Sequence, residues 1–352
     1  MEPVRVAIVG CGVMGGHHAR VASEASHIEL SAVVDVRQDA AERVGQEQNA
    51  KQIYTDVDEM LGNKDIEAVV LALPANLRAD LGVKVLQAGK HLLTEKPVAR
   101  NAGEVERLIE ARGDLKAACC SSRYRFFESA DIATKAVADG VLGDLRIIRF
   151  RGIRPDNGPG KNPPPPWRVS HELNGGGIYV NWGCYDLDYV LGVAGWNVKP
   201  KLVLAQAWPI AGHLPGRVAE GSDAESHAIA LIHCENGVVF SLERAEFSSL
   251  ANDEAWQIVG SKASLRLDML GKAGPRTLYL DKTDTNGPLT TETIFNGEED
   301  RWNCHKGPLE DLATAIRTGG DPKTTLEQAL LMQKITDAIY ASAREGKAIE
   351  IS

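Results

Sequence analysis

Through its first third the chain alternates apolar runs with stretches of helical periodicity. Val4-Arg5-Val6-Ala7-Ile8-Val9 is the first run, residues 30–34 the second and residues 67–73 the third, the last with an unbroken apolar centre. Unbroken runs are expected of parallel strands buried on both faces. Helices are expected at 17–25 and 38–48, then a short one capped by Asp56 and ending at Leu61. Another is expected to be capped by Asn76 and to run to Ala88, where Gly89 stops it. His91 to Thr94 reads as the next strand, and Asn101 caps a helix ending at Arg112. Strands alternating with helices predict a parallel sheet with helices on both faces.

The pattern changes near residue 115. A helix is expected at 126–139, closed by Gly140, and a strand at 145–153. Residues 155–166 form a loop rich in Gly and Pro, whose four prolines at 163–166 favour a stiff extended segment. Trp167-Arg168 and Gly175-Gly176-Gly177 precede a helix at 178–191. Strands follow at 201–208, 224–234, 238–247, 255–259, 264–267 and 277–280, with turns such as Glu235-Asn236-Gly237. Strands in succession with short turns predict a mostly antiparallel sheet. Helices at 304–318 and 325–343 close the chain. The expected organisation is α/β throughout: a parallel-sheet domain over residues 1–120 and an α/β domain with a large open antiparallel sheet over 121–352.

Composition narrows the partners. The 352 residues carry 39 Lys and Arg against 48 Asp and Glu, a net charge of −9, which argues against nucleic acid or an anionic membrane. No apolar run nears the length of a membrane span. Met1-Glu2-Pro3 leads straight into the first strand, so no signal peptide is expected. Cys11, Cys119, Cys120, Cys184, Cys234 and Cys304 form no C-x-x-C pair, and no Cys/His spacing suggests a metal site. Buried free thiols in a reducing cytoplasm are the expectation.

The chemistry starts where the first strand ends. Gly10-Cys11-Gly12-Val13-Met14-Gly15 matches G-x-G-x-x-G, a strand precedes it and a helix follows. Gly10 permits the tight turn, Gly12 lets backbone approach a pyrophosphate, and Gly15 allows helix and strand to pack closely. The helix N-terminus offers unpaired N–H groups to phosphates. Asp35 ends the second strand twenty residues past Gly15, where a carboxylate accepts both adenosine ribose hydroxyls. The expected ligand is therefore a dinucleotide bound on a Rossmann domain. Asp35 favours NAD, although NADP stays open because Arg37, beyond Val36, could face a 2′-phosphate. Ligands of such sheets sit beyond the carboxyl ends of the strands, so Leu73-Pro74, Asn76 and Glu95-Lys96-Pro97 join the cofactor-binding set.

Lys96 is presented at a strand end by Pro97, which removes a donor and fixes the turn. It can serve as acid or base, or be a surface lysine paired with an acid. On an α-helix Asn181, Tyr185 and Asp188 would share one face. A phenol beside an ammonium can exchange a proton, because the positive charge stabilises the phenolate; Tyr185 could equally be a packing aromatic. Arg123, Tyr124, Asp156, Asn157, Asn181, Asp188 and His305 are candidate substrate contacts on loops or helix faces.

Together the glycine turn, Asp35, Glu95-Lys96-Pro97, Trp167-Arg168 and the triple glycine with its helix resemble the glucose–fructose oxidoreductase, inositol dehydrogenase and rhizopine catabolism family (Gfo/Idh/MocA). The likeness runs through nearly the whole chain. It implies a Rossmann domain, then an α/β domain whose open sheet often makes subunit contacts, hence a homodimer or homotetramer. It also implies NAD(P)-dependent oxidation or reduction of a carbinol on a sugar, glycoside, cyclitol or other polyol. Lys96 matches the family lysine that contacts the reacting hydroxyl, and Arg168 an arginine near the nicotinamide end. The family helix usually carries Asp, then His, then Asp, where this chain has Asn181, Tyr185 and Asp188. Tyrosine occurs there in glucose–fructose oxidoreductase and the dihydrodiol dehydrogenases, which makes Tyr185 and Lys96 the expected catalytic pair and glucoside 3-hydroxyl oxidation the preferred substrate reading. Trp167 and Trp182 would suit stacking on a sugar face. Alternatives within the resemblance are a glycosidase that uses NAD transiently and a dinucleotide-binding regulator.

Overall fold

The computed structural model describes residues 2–162, 164–270 and 275–351, apart from the Asn303 side chain. The first of the four prolines, Pro163, lies outside them. By compactness the chain forms two units, one of residues 1–123 with 301–330, the other of residues 124–300 with 331–352.

In the first unit the strands are β1 (Val4–Val9), β2 (Ile28–Val34), β3 (Gln52–Tyr54), β4 (Ala68–Leu71), β5 (His91–Thr94) and β6 (Ala117–Cys119). They form one parallel sheet ordered β3-β2-β1-β4-β5-β6. The order reverses between β1 and β4, which opens a crevice at their carboxyl ends. The helices are α1 (Val13–Glu24), α2 (Gln38–Glu47), α3 (Val57–Leu61), α4 (Ala75–Gln87) and α5 (Ala102–Arg112). Asp56 and Asn101 cap α3 and α5 as expected, accepting from the Asp58 and Glu104 amides.

Two differences from the sequence expectation bear on the site. α1 starts four residues early, at Val13, because the glycine turn itself supplies its first turn. Asn76 does not cap α4: Pro74 takes that position, no side chain caps the helix, and Asn76 lies in its first turn. A fixed-φ proline enters a helix without needing its missing N–H. The short β3 and β6 went unread because three residues leave no periodicity.

In the second unit the helices are α6 (Glu128–Ala138), α7 (His171–Asn174) and α8 (Cys184–Ala194). Helix α9 (Asn303–Thr318) belongs instead to the first unit, where Leu309, Leu312 and Ala313 join the core of Val4, Val6 and Ile8. Helix α10 (Leu326–Glu345) follows it. The second sheet has nine strands: β7 (Leu145–Pro155), β8 (Pro200–Pro209), β9 (Glu225–Cys234), β10 (Val239–Ser248), β11 (Asp253–Gly260), β12 (Ala263–Leu267), β13 (Arg276–Asp284), β14 (Gly287–Gly297) and β15 (Ile349–Glu350). Their order is β14-β13-β12-β11-β7-β10-β9-β8-β15, antiparallel except where β7 and β10 run together. The polar β14 and two-residue β15 carried too little apolar signal to be read from sequence. Over 202–206 of β8 and 227–234 of β9 burial alternates, with Leu202, Leu204, Ile229 and Leu231 on the outward face.

Candidate active site

The glycine turn closes as its spacing requires. Gly10 has φ +93°, a backbone conformation open to glycine. A Cβ on Gly15 would collide with the Gly10 carbonyl oxygen, so α1 can meet the end of β1 only through a glycine. A Cβ on Gly12 would meet nothing within 4 Å, and Gly12, at the helix N-cap, has no side-chain cap. The first amides of α1, over Val13 and Met14, thus have no cap from the Gly12 side and carry the positive dipole end, a fit for pyrophosphate.

Asp35 is held by its neighbours. Its carboxylate accepts from the Cys11 amide at 2.8 Å and from the Arg37 amide at 2.9 Å. Arg43 donates to the Cys11 carbonyl at 3.0 Å and ties α2 to the same turn. Burial, reinforced by the nearby Asp35 charge, pushes the Cys11 thiol up to about 11, so it stays neutral beside the site. A cavity of about 380 Å³ opens beside Asp35, lined by Gly10, Val34, Val36, Leu73, Asn76 and Leu77 among others. Val36 is 88% exposed. An apolar slot ending in a fixed carboxylate fits an adenosine: base against the aliphatic side chains, ribose hydroxyls on Asp35. The Arg37 side chain is exposed, and its recorded tie to Asp35 is through the backbone.

At the end of β5, Glu95 is the centre of a buried network. Its Oε1 lies 2.9 Å from His18 Nε2 and accepts from Arg123 at 3.1 Å. Its Oε2 accepts from the Lys96 amide at 3.2 Å, and Arg78 donates to the carbonyls of Glu95 and Pro97. Burial alone would raise the Glu95 carboxyl; Arg123, His18 and Lys96 outweigh it and hold the group far below the usual carboxylate range. Glu95 thus stays ionised and anchors the turn that carries the half-buried Lys96. His18, Glu95 and Cys120 place donor atoms within 4.8 Å of one another, but the Arg123 guanidinium already occupies the cationic position on Glu95. Neither His18 nor Arg78 stood out in the sequence: each is one polar residue in an amphipathic helix.

Arg123 and His305, expected as substrate contacts, also lie in this unit. Arg123 is buried on Glu95. The His305 ring packs against His17 and Trp302, with centroids 5.5 and 5.7 Å away. Burial, with Arg123 and His17 nearby, lowers His305 to about 4, so its imidazole is neutral at ordinary pH.

In the second unit the helix after the triple glycine is not uniform. Tyr179–Gly183 is a π-helical turn, and α8 begins only at Cys184. The α spacing meant to align Asn181 with Tyr185 therefore holds only from Cys184 onward, and that shared face is withdrawn for Asn181. Such π turns occur frequently at functional sites. Tyr185 is buried, with the ring edges of Tyr124 and Trp182 at 5.2 and 5.7 Å. The guanidiniums of Arg154 and Arg244 in turn lie over the Trp182 ring, 4.5 and 5.0 Å from its centroid. Arg244 pairs at 3.0 Å with Asp186, which accepts from Trp256 at 2.8 Å.

Other expected contacts turn out to be engaged. Asp188 is fully buried and pairs with Arg125 at 2.6 Å. Asp156 takes both ends of Arg217, at 2.7 and 2.8 Å. Arg168 pairs with Glu246. Asn157 is an exposed loop residue whose amide reaches the Pro155 carbonyl at 3.4 Å. None of the six cysteines is in a disulfide, and all but Cys184 are buried.

A 3-2-1-4-5-6 parallel sheet, a bare glycine turn at its switch point and a carboxylate at the end of β2 define a dinucleotide-binding Rossmann domain. Residues 4–121 match the oxidoreductase family with an NAD-binding Rossmann fold, and residues 134–351 match the C-terminal α/β domain of the same family. The chain belongs to the Gfo/Idh/MocA oxidoreductase family, and its first sheet is the NAD-binding domain. It is 26% identical to the D-glucoside 3-dehydrogenase of Escherichia coli (strain K12), covering 99% of this chain and 98% of that one. It is 21% identical to the myo-inositol 2-dehydrogenase of Thermotoga maritima, with 99% and 98% covered. A levoglucosan dehydrogenase solved with NADH and L-sorbose has the same fold, with a TM-score of 0.86 at 20% identity over the full length of both chains.

Proposed function

We propose that the protein oxidises a secondary hydroxyl of a neutral sugar, glycoside or cyclitol with NAD, and that a glucoside 3-hydroxyl is the preferred site. The Asp35-tipped glycine turn carries the cofactor half of this reading. The full-length likeness to a glucoside 3-dehydrogenase supports the substrate half. NAD supplies the hydride acceptor at nicotinamide C4 when bound. Gly12, Val13 and Met14 present amides to the pyrophosphate, while Asp35, Val36, Leu73, Pro74 and Asn76 receive adenosine. In this reading Tyr185 is the base that takes the hydroxyl proton, and Lys96 is the second catalytic residue that the family resemblance implies. Asn181, Tyr124 and Trp182 border Tyr185 or its helix and orient the sugar. We place the enzyme in the cytoplasm, where six cysteines without a disulfide are ordinary, a reading that cell fractionation would check.

The test is NADH absorbance at fixed NAD while glucosides, free sugars and cyclitols are added in turn. A glucoside should give net NADH. With that substrate, Tyr185→Phe and Lys96→Ala should each lower kcat by about 100-fold or more, Tyr185→Phe with NADH binding near wild type and Lys96→Ala with a smaller loss of NADH affinity than of kcat. No net NADH with any member of the panel would refute the dehydrogenase reading. Near-normal turnover by Tyr185→Phe would remove Tyr185 from the chemistry.

A further inference from the structure

Sixteen residues of continuous helical backbone, Tyr179–Gly183 and then Cys184–Ala194, carry Asn181, Trp182 and Tyr185. The N-cap residue of this run, Ile178, offers no side-chain cap. The cap comes from another element. Glu225, the first residue of β9, accepts from the Gly177 amide through Oε2 at 2.9 Å and from the Tyr179 amide through Oε1 at 2.9 Å. Oε1 also accepts from the Tyr340 hydroxyl of α10 at 2.9 Å. Burial pushes both the Tyr340 hydroxyl and the Glu225 carboxyl above their ordinary ranges, the carboxyl held back by the Tyr179 amide, Tyr340 and the Gly177 amide, so Tyr340 keeps the proton it donates.

The triple glycine finds its reason here. A Cβ on Gly177 would strike the Glu225 backbone carbonyl, and one on Gly176 would strike the Tyr340 ring and hydroxyl. The turn is therefore pressed onto Glu225 and Tyr340, as well as bonded to them. A carboxylate at a helix N-terminus satisfies orphan amides and complements the dipole. Gripping two amides two residues apart also sets where the π turn begins and how the helix is rotated. Tyr185 lies six residues beyond the second gripped amide, so its ring direction follows from that rotation.

We propose that Glu225 is a positioning residue for the reaction: it sets the screw phase of the helix that presents Tyr185, and so acts through Tyr185 rather than on substrate. The proposal rests on the role of Tyr185 given above. A cavity of about 500 Å³ lies behind the carboxylate, lined by His171, Trp208, Asp223, Glu225, Tyr340 and Arg344. That cavity gives a small carboxylate a route to the place of a deleted Glu225 side chain.

Glu225→Gln keeps the volume but sets an amide N–H against one of the gripped backbone N–H groups. It should lower kcat about tenfold or more, as misplacement of a catalytic group does, and leave NADH affinity within about twofold of wild type. Glu225→Ala should lose kcat similarly and recover part of it in formate. In a Tyr185→Phe background, Glu225→Gln should cost little further, because both changes disable one group. Hydrogen exchange of the amides at 177–185 should quicken in Glu225→Gln and slow again when formate is added to Glu225→Ala. Additive losses in the double variant would show a general structural role and overturn the proposal. Exchange at the wild-type rate would overturn it as well, and that readout holds even where no substrate is turned over.

Discussion

Asp35 has both of its oxygens assigned by backbone amides, one from the glycine turn and one from the residue that opens α2. The carboxylate is oriented by the same loops that form the phosphate cradle, so a 2′-phosphate at this place would meet a fixed like charge. Asp35→Ser should raise KM for NAD about tenfold and improve the relative efficiency with NADP, read from initial rates with both cofactors. An unchanged preference would mean that Arg37 sets it. Glu95 shows a second residue-scale lesson. The sequence marks the Glu95-Lys96-Pro97 triplet, but not that His18 from α1 and Arg123 beyond β6 hold the glutamate ionised. Those partners are 77 and 28 residues away in sequence, and no local pattern announces such pairings.

Among the elements, α1 depends most on a single atom that is missing. Gly15→Ala would drive a methyl group into the Gly10 carbonyl, so helix and strand end could not keep their present approach. Overpacking of this kind costs about 1–3 kcal/mol. The displaced amides should also weaken NADH binding about tenfold, measured by nucleotide fluorescence against a thermal melt. Full affinity in Gly15→Ala would show that the close approach of helix and strand is not what shapes the phosphate site. The run 178–191 is the converse case. Its apolar pattern announces a helix, but the π turn at Tyr179–Gly183 arises where Glu225 and Tyr340 grip the entry. Periodicity reports which side of a segment is apolar, and it is too coarse to register one extra residue in a turn.

For the molecule as a whole, the outward face of the second sheet matters most. Leu204 pairs with Leu231 across β8 and β9, each 54% exposed, with Leu202 and Ile229 on the same face. A sheet face of this character normally lies against another layer. A homo-oligomer formed through it is the assembly we propose, the same patch meeting its copy about a two-fold axis. Leu204→Glu combined with Leu231→Glu should convert the oligomer to a monomer in sedimentation analysis; an unchanged mass would place the interface elsewhere. No described helix is long and apolar enough to cross a membrane. By itself the sequence determined the two sheets, the glycine turn, Asp35 and the family, because hydrophobic period, glycine spacing and a strand-end acid are local signals that survive without coordinates. Only the tertiary structure decided that α9 completes the first core, that Asp188, Asp156 and Arg168 are taken up in ion pairs, and that Glu225 grips the triple glycine. Each of these joins residues distant in sequence, where charge and burial act across space and leave no trace along the chain.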